Sequence, residues 1–231
     1  MKIRQIKLKD YGLLLSFIII CIFVSIMTPK FLLPQNLRNI MMQISINALI
    51  STGMSFVILT GGIDIGVGSV AALSGIIVTA ICKNFPEASI FLYVCIGILV
   101  SFIVGTVCGG FNALMITKFN VHPFIATLGM LSIARGFAFV YTGSKPIFGL
   151  SDSFGWIGQG YIGPVPVMVI IMILVLAFTH IFLDKTVSGR YIYDVGSNEE
   201  VAKLNGINVH QVKFMAYIIS GILSAFAGVC L

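Results

Sequence analysis

Long apolar runs separated by short polar or glycine-rich breaks set the pattern of this chain. Such runs stand at 11–28, 40–59, 69–82, 88–108, 125–141, 165–183 and 214–231. None carries the polar face that a soluble helix keeps toward water. About 20 apolar residues rising 1.5 Å each cross a hydrocarbon core about 30 Å thick. The pattern predicts an all-α polytopic membrane protein with about seven hydrophobic spans, one transmembrane domain over residues 1–231. The run at 88–108 is expected to extend toward Ile116. The run at 69–82 is too short to cross alone. Together with the preceding TGGIDIGVGS it reads as a broken or re-entrant segment over 60–82.

Composition agrees with a lipid setting. Hydrophobic residues make up 58% of the chain and charged residues 10%, against about 45–50% and about 25% in soluble domains. The net charge of +6 does not point to nucleic acid, because the basic residues gather in tails and loops, as membrane topology requires. Lys2, Arg4, Lys7 and Lys9 precede the first run, and Lys185, Arg190, Lys203 and Lys213 lie in 184–213. Six crossings separate the two groups, so parity and charge both predict that the N-terminus and the 184–213 segment are cytoplasmic. The 142–164 segment, whose only base is Lys145, is then external, with Trp156 and Tyr161 at the headgroup level. MKIRQIKLKD followed by an apolar run mimics a signal peptide but lacks a small-residue cleavage site, so it reads as the start of a first span. The five cysteines form no CxxC and read as small packing residues. Gly105 and Gly109 form a GxxxG, and Ser220, Gly221, Ser224, Ala225 and Gly228 line the last run. Such residues let helix backbones approach closely, within a compact bundle or between two copies.

Asp64 is the first candidate for chemistry. A carboxylate among apolar spans needs a partner or water. The glycines around it suggest a broken helix, with a half-helix starting near Ile65 and Asp64 as its N-cap. Asp64 is then either a cap that fixes the turn or a gate on a solute path. Arg135, the other charge inside a run, either pairs with Asp64 or faces a wet cavity. Asn47 and Asn112 either bridge helices or contact a polar solute. His122 and His180, near run ends, suggest no catalytic role. No GxxxxGK[ST], HExxH or GxSxG occurs. No second in-span acid accompanies Asp64, as an intramembrane aspartyl protease would need. These absences argue against an enzyme, and no cofactor is expected.

The 184–213 segment carries a different signal. Ser197 or Asn198 can cap a short helix with Glu199 and Glu200 in its first turn, where the helix dipole favours acids. Ala202, Lys203 and Leu204 continue it, and Gly206 stops it. So short a helix needs something to dock on, either a cytoplasmic partner or its own bundle.

GRYIYDVG followed by SNEEVAKLNGINVHQVK resembles the coupling loop of the ribose-type branch of bacterial ABC sugar permeases. LTGGIDIGVGSVAALSG, NVHPFIATLGM, and ARG followed by VYTGSKPI agree in order and separation. The resemblance covers nearly the whole chain. It implies the membrane channel of a monosaccharide importer in the bacterial inner membrane, surrounded by lipid. Two permease copies would pair with a cytoplasmic ABC ATPase and receive sugar from an external binding protein. Residues 197–206, with Ser197, Asn198, Glu199, Glu200, Ala202, Leu204 and Gly206, would form the coupling helix in the ATPase cleft. Residues 60–69 would lie beside the solute path, making Gly61, Gly62, Asp64 and Ser69 path candidates along with Asn47, Asn112 and Arg135. Family members continue past FAGV with further spans, so the chain is expected to be truncated relative to them. A non-transporting remnant or assembly partner, and a secondary transporter, are the alternative functions.

Overall fold

The structure, a computed structural model, describes residues 12–231. They fall into two units, the first ending at Met41 and the second spanning Met42–Leu231. In the first, α1 (Gly12–Met27) has no buried residue. Its hydroxyls turn back on the helix: Ser16 donates to the Leu13 carbonyl at 2.8 Å and Ser25 to the Cys21 carbonyl at 2.7 Å. A helix in lipid must satisfy its polar groups within itself in this way. The Asn36 amide donates to the Phe31 carbonyl at 2.8 Å and closes the turn into α2 (Pro34–Leu59). Proline suits a first helical turn, where its missing N–H costs nothing. This helix starts well ahead of the apolar run at 40–59, because Gln35, Asn36, Arg38 and Asn39 are polar but helix-compatible.

The second unit continues with α3 (Val67–Cys82), α4 (Ile90–Thr117) and α5 (Pro123–Thr142). Next come α6 (Asp152–Gln159) and a small antiparallel hairpin of β1 (Tyr161–Ile162) and β2 (Val165–Pro166). The chain ends in α7 (Val167–Lys185), α8 (Val187–Ser197), α9 (Glu199–Leu204) and α10 (Val209–Val229). Among the described residues α2, α4, α5, α7 and α10 are long and apolar enough to cross a membrane, while α1 and α3 are shorter apolar helices. The chain is thus an all-α polytopic membrane protein. Among the described residues seven apolar helices match the seven runs; five reach spanning length, and α3, at the run 69–82, is short, as that run predicts. At 16 residues, α3 rises about 24 Å, short of the hydrocarbon core.

The boundaries follow local chemistry. Ser89 Oγ accepts from the Leu92 amide at 3.4 Å at the head of α4. Pro123 opens α5, and Gly143, at φ +58°, ends it, a left-handed cap that favours glycine. The segment between α5 and α7 holds α6 and the hairpin. It is pinned where the Tyr93 hydroxyl donates to the Phe85 carbonyl at 2.6 Å and meets the Ser151 hydroxyl at 2.9 Å.

At the centre stands α10. Over half of its apolar window, 56%, is buried, against 17% for α7, and it packs most extensively on α4 and α3. The small residues explain the closeness. A Cβ at Gly105 would run into the Ile222 backbone, one at Gly109 into the Tyr217 carbonyl, and one at Gly221 into the Gly105 carbonyl. The GxxxG therefore serves α4 against α10 inside this chain. Ser220, Ser224 and Ala225 are fully buried on the same helix. Cys82, Cys108 and Cys230 are buried, as expected of packing residues, whereas Cys95 faces outward on α4.

Gly105→Val should lower the thermal midpoint of the detergent-solubilised protein, because overpacking costs about 1–3 kcal/mol. Gly110, five residues further along the same helix, has open space where a Cβ would sit. Gly110→Ala should leave the midpoint unchanged or raise it, since alanine favours the helix by about 0.5–1 kcal/mol. Equal loss in both variants, read by thermal unfolding, would contradict the packing described.

Candidate functional site: the broken segment and the 184–213 segment

The break begins where α2 ends. The Gly61 and Gly62 amides donate back to the Ile58 and Val57 carbonyls at 2.9 and 3.0 Å, and Gly61 takes φ +77°. A side chain at that backbone angle is strained, so glycine makes the turn. The chain then runs without helix to Val67. Asp64 is 3% exposed. Its Oδ1 accepts from the Gly66 amide at 3.0 Å and its Oδ2 from the Ser220 hydroxyl at 3.0 Å. The Tyr217 hydroxyl donates to the Ile63 carbonyl at 3.2 Å and lies so near Gly62 that a Cβ there would come within 2.6 Å of it. Two α10 side chains thus hold the middle of the break.

Asp64 is not the N-cap of α3. The cap is Gly66, which supplies no side-chain bond. Asp64, two residues upstream, instead closes a short turn onto the Gly66 amide, a local bond typical of aspartate. Nor does Arg135 pair with it; among the described residues Asp64 makes no ion pair. The Arg135 guanidinium lies over the Phe139 ring, 5.9 Å from its centroid, a cation–π arrangement.

Arg135 lines a cleft of about 1420 Å³ formed by α3, α5, the α6 region and the end of α10. Ile65, Gly68 and Ser69 form its α3 side, Lys145 and Trp156 belong to the α5–α6 connection and α6, and no acidic side chain lies among its described lining residues. Of the path candidates, Ser69 and Arg135 meet at this cleft. Gly61, Gly62 and Asp64 belong to the break behind it. Asn47 faces outward on α2, and Asn112 is 1% exposed within α4; neither lines the cleft. The Asn112 Oδ1 atom is buried without a partner.

The 184–213 segment forms the second cluster. The Asn198 Oδ1 atom accepts from the Glu200 and Val201 amides at 3.0 and 3.1 Å, so Asn198 caps α9. Ser197, the other cap candidate, is the last residue of α8. Gly206, at φ +80°, and Ile207 return their amides to the Lys203 and Ala202 carbonyls at 3.0 Å, the left-handed finish expected of that glycine. Glu199 faces two cations, Lys213 Nζ at 2.7 Å and Lys203 Nζ at 3.3 Å. The Lys213 hydrogen bond is the main cause holding its carboxyl below the usual range. Ala202 is buried with Ile192 and Val195 of α8, Val209 and Val212 of α10, and Phe56 of α2. Leu204 points away from them, 87% exposed, with Val201 beside it at 49%.

The family described as branched-chain amino acid transport system / permease component matches residues 36–231. The chain belongs to that permease family. It is 41% identical to the ribose import permease of Bacillus subtilis over 226 residues, 97% of this chain and 68% of that protein. Its identity to the ribose import permease of Haemophilus influenzae is 42%, over 93% of this chain and 66% of that protein. With the galactose/methyl galactoside import permease of Escherichia coli it is 30%, over 96% and 70%. The permease chain spans about two thirds of the length of these curated relatives. No solved structure matches it.

Tyr217, Ser220, Gly196 and Lys145 belong to these clusters, and composition alone does not single them out. Tyr217 and Ser220 carry one signal: their hydroxyls, three positions apart, share a face of a largely apolar helix. Gly196 had none. A Cβ there would collide with the Leu59 carbonyl, a backbone contact between α8 and the end of α2 that only folding reveals.

The Glu199 ion pairs set a pH dependence. A depressed carboxyl pKa contributes stability that is present above its unfolded value, about 4.3, and is lost as pH falls through the lower folded value. The pair is partly exposed, so the effect is screened and modest. Amide protection over 199–204, read by hydrogen exchange, should fall on acidification below pH about 4. In Glu199→Gln that pH-dependent step should vanish; an unchanged step would assign it to another group.

Proposed function

We propose that this chain is the membrane-spanning permease component of an ATP-driven importer that moves a monosaccharide of the ribose type across the bacterial inner membrane. It would work with a second permease copy, a cytoplasmic ABC ATPase and an external sugar-binding protein. The N-terminus and the 184–213 segment would be cytoplasmic, as their shared excess of Lys and Arg favours. The relatives' names supply the substrate class. The observation carrying the mechanism is the bare leucine on a helix too short to stand alone. With six residues, α9 falls far below the length at which an isolated helix is stable, yet it is capped, ion-paired and packed from behind on α8 and α10. That bracing leaves Leu204 and Val201 to fit an apolar recess in the ATPase, with Glu200 at the edge and Glu199 holding the helix rather than the partner.

The sugar path would follow the cleft at Ser69 and Arg135. A neutral sugar needs hydrogen-bonding groups rather than charge pairing, and Asp64, enclosed by its own donors, serves the shape of the break.

Leu204→Asp should cut recovery of the ATPase with the affinity-tagged permease from native membranes by about tenfold or more, as expected when an interface anchor is lost. Leu204 makes no packing contact within the buried cluster, so the variant should fold and reach the membrane normally. Undiminished ATPase recovery with Leu204→Asp would refute this docking mode.

A further inference from the structure

We infer that Tyr217 and Ser220 are positioning residues that latch the break at 60–66 to α10, so that displacement of the coupling segment is passed to the wall of the cleft. This rests on the docking reading above and adds how a push on α9 would reach the solute path.

The coupling segment reaches the break by two routes. Directly, α8 meets the end of α2 backbone to backbone, with Gly196 against the Leu59 carbonyl, and Phe56 and Leu59 share the apolar cluster of α8, α9 and the start of α10. Through α10, Lys213 ties the first turns of that helix to Glu199 of α9 at 2.7 Å. Tyr217 and Ser220 stand four and seven positions beyond Lys213, on the same face of one continuous helix. Through them α10 holds the Ile63 carbonyl at 3.2 Å and the Asp64 carboxylate at 3.0 Å. Immediately after these residues, Ile65, Gly68 and Ser69 line the cleft. An unbroken sequence of contacts therefore runs from the exposed face of α9 to the cleft wall.

The latch transmits because slipping is costly. A hydrogen bond to a carboxylate is stronger than a neutral one, and in a bundle shielded from water its loss leaves a buried polar group unsatisfied. Asp64 is 3% exposed, so bulk water has little access to replace Ser220. When α10 shifts, the break is held to it, while the non-helical backbone at 63–66 and the left-handed Gly61 supply the freedom to turn. Direct sugar binding by Tyr217 or Ser220 is a weaker account: both hydroxyls are spent on the break, and neither residue lines the cleft.

The test uses the assembled transporter, permease with ATPase and binding protein, in proteoliposomes. Tyr217→Phe, Ser220→Ala and the double variant are compared with native protein for ATP hydrolysed and sugar imported. Sugar imported per ATP should fall by about fivefold or more in the double variant, the lower end of typical site-to-site coupling, while the amount of bound ATPase stays native. A fall of hydrolysis and import in equal proportion, or an unchanged ratio, overturns the inference. Hydrogen exchange on the same samples adds a second readout that loss of fold would not imitate. In native transporter, a non-hydrolysable ATP analogue should change protection at 60–66, and in the double variant that response should be lost while α9 remains protected by the ATPase. Protection of α9 without any response at 60–66 in native transporter sinks the latch alone. Absence of protection at α9 in native transporter sinks the docking reading and the latch with it.

Discussion

A carboxylate shut away from water inside a lipid-embedded bundle has to be met by donors, and around Asp64 that requirement organises the molecule. The Gly66 amide meets one oxygen and the Ser220 hydroxyl the other. The first bond bends the chain into α3; the second fixes where α10 must stand. For Ser220 to reach, α10 has to pass through the middle of the unit, and it does so by pressing glycine against glycine on α4. The small residues of α10, the break after α2 and the shortness of α3 are linked by this one carboxylate. Weak forces between helices in lipid make such specific polar bonds and close backbone contacts the means of fixing a bundle.

The same helix joins two regions of different chemistry. Its first turn belongs to a polar cluster of glutamate and lysines and to the apolar cluster under α9. Its middle carries the hydroxyls that hold the break, and its end reaches the cleft. A stiff rod with contacts at both ends and the middle suits a protein whose proposed partner acts on one side while the solute moves elsewhere. Bracing also explains why α9 keeps its shape at a length that would melt alone: Asn198 caps it, Lys213 of α10 holds Glu199, and Ala202 is buried against α8 and α10.

Much of this was legible in the residues, for reasons that differ by element. The spans showed because lipid demands near-continuous apolar runs, and the run at 125–141 falls within α5, which Pro123 opens and Gly143 ends. The α9 helix was readable from Asn198, Glu199 and Glu200, as capping and dipole effects act within one turn. The break was readable from its glycines. By contrast, α8 escaped notice because VSGRYIYDVGS mixes glycines and tyrosines with few apolar positions. Its buried Ile192 and Val195 lie three apart and read as a face only once the helix is seen. The partner of Asp64 was not legible either. Ser220 is 156 positions away and looked like one more small packing residue, while Arg135, the natural electrostatic guess, turned instead over Phe139.

That placement of Arg135 bears on what the cleft turns away. With Lys145 on the same wall and no acidic side chain among the described lining residues, the cleft carries fixed positive charge. In the proposed reading, where this cleft is the sugar path, such charge would raise the barrier to protons and metal cations while leaving a neutral, hydroxyl-rich solute nearly indifferent. A path of that kind would open for a bulky uncharged molecule without short-circuiting the ion gradients across the membrane.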